Sequence, residues 1–187
     1  MNTTTHLVFN VAALGRESRR MAWAAAVGAV LPDAPIFLFY LFDRFVYGRR
    51  GVEVWSVDYF ASSWQAVIDG LHSFPLILLG LALLWRVPWG RVFCLSLLLH
   101  SALDMPFHHD DAHRHFFPFA DYRFASPLSY WDPRHHGAVG AAIELAVLVG
   151  ASVVLVARSR SWKVALPLVL LCLAQAAMDV LFYLLGR

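Results

Sequence analysis

The chain has 187 residues, of which 59% are hydrophobic and only 15% charged, and its formal net charge is +2. A soluble domain carries about a quarter of charged residues, so most of this chain is expected to lie in lipid. The weak charge and the scattered arginines exclude a basic nucleic-acid-binding surface, and two cysteines placed inside apolar runs exclude a disulfide framework or a thiolate metal cluster.

The apolar runs predict a bundle of membrane helices. Residues 3 to 15 are too short to cross a bilayer, so we expect a partial or re-entrant half-helix there. Five further runs predict about five transmembrane helices, over residues 21 to 47, 71 to 85, 89 to 107, 137 to 157 and 162 to 185. No internal repeat or second domain is visible. The predicted fold is therefore an all-α, polytopic membrane bundle, with residues 1 to 187 forming a single integral-membrane domain.

Two polar segments, residues 48 to 70 and 108 to 136, are too long for simple turns and are expected to form the exposed working face. Basic residues gather at the opposite helix ends: Arg16, Arg19, Arg20, Arg86, Arg91, Arg158, Arg160 and Lys163. Cytoplasmic ends of membrane helices carry an excess of such residues. We therefore expect the two polar segments to face away from the cytoplasm.

Several ionisable side chains are predicted to share one layer of the membrane. At about 1.5 Å per helical residue, they lie about 15 to 23 Å from the cytoplasmic helix ends. A charged side chain near mid-bilayer costs about 3 kcal/mol, so such residues usually face a cavity and are paired or functional. A metal would satisfy all six members of this layer: His6, Asp33, His72, His100, Asp104 and Glu144.

Each candidate also has a plainer interpretation. His100 and Asp104 lie one helical turn apart in HSALD, which suits two ligands of one ion but also a simple hydrogen bond. Asp33 lies between two prolines, where a broken helix would turn its carboxylate into a cavity or use it as a cap. His72 could instead be an interfacial residue at a helix start, and His6 a polar surface residue.

The tract HHDDAHRHFFPF that begins at His108, together with His135 and His136, can bind metal. Solvation beside the membrane explains most of these residues equally well, and we expect about two of them to matter. The interleaved aromatic residues suit an interfacial belt or the walls of a lipid entrance.

The motifs THL, LPD, LHSFP, LLHSALD and SPLSYWDPRHHG span nearly the whole chain. Together they resemble the bacterial inner-membrane family of membrane-bound metal-dependent hydrolases, the LexA-regulated group among them. The order of the ligands is also similar to that of zinc-dependent phospholipase C, an all-helical enzyme with three zinc ions. The resemblance implies a multi-pass protein of the bacterial inner membrane, and the basic residues predict that its site opens to the extracytoplasmic side.

The resemblance also implies a ligand set. One ion would be held by Asp33, His72, His100 and Asp104, and a second would be held or bridged by His6 with Asp104. A third would need one loop histidine, His136 and Glu144, but here the chain departs from the phospholipase pattern because eight residues, rather than one turn, separate the last two. The candidate catalytic carboxylates are Asp33, Asp104 and Glu144.

These expectations describe a phospholipase-like hydrolase that cleaves a lipid phosphoester or ester with a metal-activated water. Zinc suits the ligands best, as two ions, with manganese or iron as substitutes. The alternative is a transporter that uses the same intramembrane residues as a metal or proton relay, although five spans without a repeat suit common transporter designs poorly. A purely structural protein would have little reason to keep so many ionisable groups at one depth. The sequence leaves the oligomeric state open.

Overall fold

The computed structural model describes residues 1 to 60 and 62 to 185. It is 74% helical and has no strand in that part of the chain, which confirms the predicted all-α class. Three short 3-10 helices, Asp58–Phe60, Met105–Phe107 and Pro133–His135, join the longer elements. The α-helices are α1 (Thr3–Leu14), α2 (Arg19–Val30), α3 (Ala34–Phe45), α4 (Gly51–Ser56), α5 (Ser62–His72), α6 (Phe74–Leu84), α7 (Pro88–Asp104), α8 (Gly137–Ser159) and α9 (Trp162–Leu185).

Among the described residues there are two to four candidate membrane spans, fewer than the five predicted. Helices α8 and α9 are each long and apolar enough to cross a bilayer. Two more crossings result if α2 with α3, bent by 51°, and α5 with α6, bent by 50°, each count as one span. The predicted span at 89 to 107 is not among the candidate spans, because α7 has only 17 residues and packs between α2 and α6.

Prolines lie at both breaks. Pro32 and Pro35 flank Asp33 at the first break, and Pro75 lies in the first turn of α6 at the second. A proline has no amide hydrogen for an intrahelical hydrogen bond. At the second break Ser73 caps α6, its hydroxyl accepting a hydrogen bond from the Leu76 amide. Consequently His72 is the last residue of α5, and the apolar run at 71 to 85 does not begin a helix at that histidine.

Helix α1 lies inside the bundle, in contact with α2, α7 and α8. Its apolar face packs on α8 through Val8 and Ala12. Its polar face carries Asn10, whose amide donates hydrogen bonds of 2.9 Å to both the carbonyl and the hydroxyl of Ser96 in α7. The Ser96 hydroxyl in turn donates to the Ala25 carbonyl in α2. Three helices are thereby held in register below the polar layer.

A second apolar cluster lies between α3, α4 and α5. It contains Phe39, Val54, Tyr59 and Ile68, all buried. This cluster fixes α5 against α3 and so sets the position of His72 at the end of α5. The bundle thus converges from several helix ends on one polar layer.

Candidate metal centre

Four predicted ligands meet in the structure. Asp33 follows the end of α2, His72 ends α5, and His100 and Asp104 lie in the last turns of α7. One ligand atom from each residue lies within 4.8 Å of the others, and all four residues are buried. We name these four residues the first group. The breaks and ends of the helices bring their side chains together, because no single helix could present all four.

The two histidines of the first group have a defined orientation. The Nδ1 atom of His72 lies 2.8 Å from the Ile68 carbonyl, and the Nδ1 atom of His100 lies 2.7 Å from the Ala29 carbonyl. A carbonyl only accepts hydrogen bonds, so each Nδ1 carries the proton and each Nε2 carries a lone pair when the ring is neutral. Within the described chain, both buried Nε2 atoms have no hydrogen-bond partner. Metal-binding histidines are commonly oriented in this way.

The distances within the first group fit a cation better than hydrogen bonds. His100 Nε2 lies 3.3 Å from Asp104 Oδ2 and 3.5 Å from Asp33 Oδ1. His72 Nε2 lies 3.5 and 3.9 Å from the same two oxygens. A charge-assisted hydrogen bond would be about 2.7 to 2.9 Å, whereas ligands at about 2.0 to 2.1 Å from a tetrahedral ion are about 3.3 to 3.4 Å apart. The residues present therefore fit a tetrahedral divalent ion.

The Asp33 carboxylate faces the two histidines and does not cap α3. Its side chain makes no capping hydrogen bond to the α3 residues that the structure describes. The Oδ2 atom accepts a hydrogen bond of 2.5 Å from the Thr3 hydroxyl, and the Oδ1 atom faces the two histidines. This arrangement favours the ligand interpretation over the alternative of a capping residue.

Asp104 faces two directions. Its Oδ2 atom belongs to the first group, while its Oδ1 atom lies 2.8 Å from His6 Nε2 and 3.3 Å from His108 Nε2. The Met1 amino group also lies 2.8 Å from Oδ1. The carboxylate can therefore join two neighbouring cation sites.

A second buried group consists of Asp104, His108 and His113. The sequence had placed the two histidines in a loop tract without selecting them. His108 follows Asp104 by four residues, as Asp104 follows His100. Continuing that spacing past Pro106 would have selected His108, but no local pattern selects His113, which reaches the site by stacking on His72 at 3.9 Å.

The two histidines of the second group differ in protonation. Burial lowers the pKa of His113 well below its usual range, so this ring is neutral and can act as a ligand. Burial and the nearby amino group lower the pKa of His108, but Asp104 and Asp111 outweigh them and raise it to about 9. Asp111 Oδ2 lies 3.0 Å from His108 Nδ1, the position from which a carboxylate orients a metal-binding histidine.

The remaining predicted ligands are placed differently. The His6 ring stacks on the His100 ring at 3.8 Å, and its Nε2 atom lies 2.8 Å from Asp104 Oδ1. The buried Glu144 Oε1 atom accepts hydrogen bonds from the Asn2 backbone amide at 2.6 Å and from the Thr5 hydroxyl at 2.8 Å. His136 is exposed and has a left-handed backbone, with φ of 55°. Among the described residues, neither Glu144 nor His136 belongs to a group with metal-ligand spacing.

A buried aspartate anchors the loop that carries His113. Asp69 in α5 is fully buried and accepts hydrogen bonds from the Arg114 backbone amide at 2.9 Å and from its guanidinium at 2.6 Å. Arg123 adds a contact at 3.4 Å. Since Arg114 directly follows His113, this ion pair positions the histidine over the centre.

A cavity of about 1110 Å³ leads to both groups. Asp33, His108 and His113 contribute to its lining. Burial raises the pKa of Tyr130 well above its usual range, so its phenol stays protonated in the wall. The aromatic part of the lining comes from α3, α4, the 3-10 helix Asp58–Phe60 and the segment before α8: Phe37, Trp55, Tyr59, Phe60, Tyr130 and Trp131. The cavity thus pairs an apolar wall with a floor of ionisable groups.

No family model, curated protein or solved structure matches this chain. The resemblance to membrane-bound metal-dependent hydrolases therefore stays a prediction that rests on the sequence motifs. The chemistry of the centre is inferred from its own side chains.

Proposed function

We propose that this protein is an integral-membrane, metal-dependent hydrolase that cleaves a lipid phosphoester or ester. The observation that carries the proposal is the pair of buried His/Asp groups that share Asp104 beneath an aromatic-lined cavity. Buried carboxylates with unpartnered imidazole nitrogens are costly unless a cation satisfies them. Two zinc ions suit this donor set, with manganese or iron as substitutes.

The chain's own residues define how the centre would work. Asp33, His72, His100 and Asp104 would hold one ion, and Asp104, His108 and His113 the other, with His6 beside the shared carboxylate. Bound divalent ions supply Lewis-acid chemistry, which lowers the pKa of water and stabilises charge on an attacked phosphoryl or acyl group. Asp33 and Asp104 would contribute as ligands at the reacting centre. Glu144 holds the N-terminal turn, and so Thr3 and His6, against it.

The cavity wall supports an amphiphile as substrate. Phe37 and Trp55 line the cavity, and about half of each residue is accessible, at 53% and 46%. An accessible aromatic wall can accept acyl chains, while the polar floor receives the ester. Water-filled relay cavities would favour polar walls, so this wall favours a lipid hydrolase over a transporter.

The proposed site faces away from the cytoplasm of a bacterial inner membrane. Arg158 donates a hydrogen bond to the Ala12 carbonyl, and the Arg20 guanidinium lies 5.5 Å from the Trp89 ring. These contacts gather the basic ends of the helices at the face opposite the metal groups. By the positive-inside rule that face is cytoplasmic.

Orientation can be tested by thiol labelling in intact cells. In a protein with Cys94→Ala and Cys172→Ala, an impermeant reagent should label Ala120→Cys and leave Ser159→Cys unlabelled. Both positions are exposed, and they lie on opposite sides of the bundle. The reverse labelling pattern would overturn the orientation.

Hydrolysis should be measured in detergent micelles, where no transmembrane gradient exists. The zinc-loaded protein is tested on phospholipids, lipid pyrophosphates and simple esters, with Asp104→Asn as the blank and the exposed-site variant His136→Asn as the matched control. We expect turnover in the wild type and His136→Asn, and none in Asp104→Asn or after chelation. No turnover across the panel would refute the hydrolase, and ion or proton movement in liposomes by the same preparation would establish the transporter instead.

A further inference from the structure

A third His/Asp group lies near the cavity mouth, apart from the two buried ones. It consists of His109, Asp110 and His135, whose ligand atoms lie within 4.8 Å of one another. The side chains are partly exposed, at 28%, 52% and 25%. The group joins the segment after α7 to the segment before α8, and it shares no residue with the buried groups.

Both histidines are oriented by an oxygen acceptor. His109 Nδ1 lies 2.5 Å from the Ser126 carbonyl, and His135 Nδ1 lies 3.1 Å from Asp132 Oδ2. With the protons on Nδ1, the Nε2 atoms of both neutral rings carry lone pairs. The rings are stacked with centroids 3.5 Å apart and an interplanar angle of 17°, and one ring nitrogen of each lies within 4.8 Å of the other and of an Asp110 oxygen.

The carboxylate completes the arrangement. Asp110 Oδ1 lies 3.5 Å from His109 Nε2, which exceeds a charge-assisted hydrogen bond and is close to the separation of two ligands of one ion. Its Oδ2 atom accepts a hydrogen bond of 3.0 Å from Arg134, which fixes the carboxylate. Arg134 also holds Asp132, the residue that orients His135. Arg134 therefore fixes Asp110 directly and His135 through Asp132.

We propose that His109, Asp110 and His135 bind an exchangeable divalent cation. Two imidazoles and one carboxylate suit zinc, manganese or iron(II), with coordination positions left for water or a phosphate oxygen. Three partly exposed ligands hold an ion more weakly than the buried groups. The ion would cross-link the two segments that carry the cavity residues Asp111 and Trp131, and so fix the cavity mouth. This site does not depend on the hydrolase proposal, because it needs no catalysis.

Zinc binding to the full-length protein in detergent micelles tests the site. The protein is dialysed against buffers of defined free zinc, and bound zinc is counted for the wild type, His109→Asn, His135→Asn and His136→Asn. Asparagine lacks the imidazole nitrogen but tolerates the left-handed backbone at residue 136. We expect the wild type and His136→Asn to take up one weakly bound zinc that both other variants lose.

Two further measurements distinguish zinc at this site from zinc bound elsewhere on the protein. Zinc should slow amide hydrogen exchange over residues 126 to 136 in the wild type and not in His135→Asn, because the ion cross-links that segment. Asp104→Asn should keep the weak binding step even if it loses the tightly held ions. Identical zinc isotherms for wild type, His109→Asn and His135→Asn, or loss of the weak step in Asp104→Asn, would overturn the proposal.

Discussion

Asp104 is the residue on which both buried groups depend, so Asp104→Asn is the most informative single change. The substitution keeps the side-chain volume and removes the charge that faces both groups. The binding free energy of a structural zinc site with four ligands is about 10 to 16 kcal/mol, so one ligand contributes about 2.5 to 4 kcal/mol. At 1.4 kcal/mol per tenfold, each affinity should fall by about two to three orders of magnitude.

Variants of unshared ligands provide the comparison. His72→Asn should weaken only the first group, and His108→Asn only the second, since each histidine contributes to one group. His136→Asn should weaken neither, because this side chain is exposed and outside both. We therefore expect Asp104→Asn to lose both tightly held ions and His136→Asn to lose none. His72→Asn and His108→Asn should lose one ion each.

The assay is elemental analysis after purification in detergent without chelators, followed by competition with a chromophoric zinc chelator. The wild type should retain roughly two tightly held ions per chain. A tightly held ion that survives in Asp104→Asn would show that the carboxylate is not shared. Loss of both ions in His72→Asn would show that the two groups are one site, and a metal-free wild type would refute the metal centre itself.

Two further predictions concern the scaffold. A Cβ atom at Gly28 would lie 2.8 Å from the Ser96 side chain, so Gly28→Ala should separate α2 from α7 and destabilise the protein by about 1 to 3 kcal/mol. Gly150 has open space around it, so Gly150→Ala should stabilise the protein by about 0.5 to 1 kcal/mol. Thermal unfolding in detergent measures both changes. Asp69→Asn should cost about 1 to 3 kcal/mol and speed amide exchange in the following loop, because it removes buried hydrogen bonds to partly exposed arginines. Asp121→Asn is its control and should change little, since that carboxylate is 90% exposed; equal effects of the two would contradict the anchoring role.

The sequence by itself determined the helical class, the membrane-like composition and four of the converging residues. Hydropathy and helical spacing are local properties, and they were sufficient to predict that Asp33, His72, His100 and Asp104 come together. The one-turn spacing of the last two fixed their shared face before any packing was known. The prolines around Asp33 likewise predicted a helix break, because the proline ring fixes its own backbone dihedral and restricts the preceding residue.

Only the tertiary structure decided which further side chains join them. His113 reaches Asp104 because Asp69, far away in the chain, holds the intervening loop, and no local period encodes that contact. The number of spans was also overestimated, since an apolar run such as α7 has the same composition whether it faces lipid or packs between helices. Burial of one helix against another depends on contacts between segments distant in sequence, and those are fixed only when the whole chain packs.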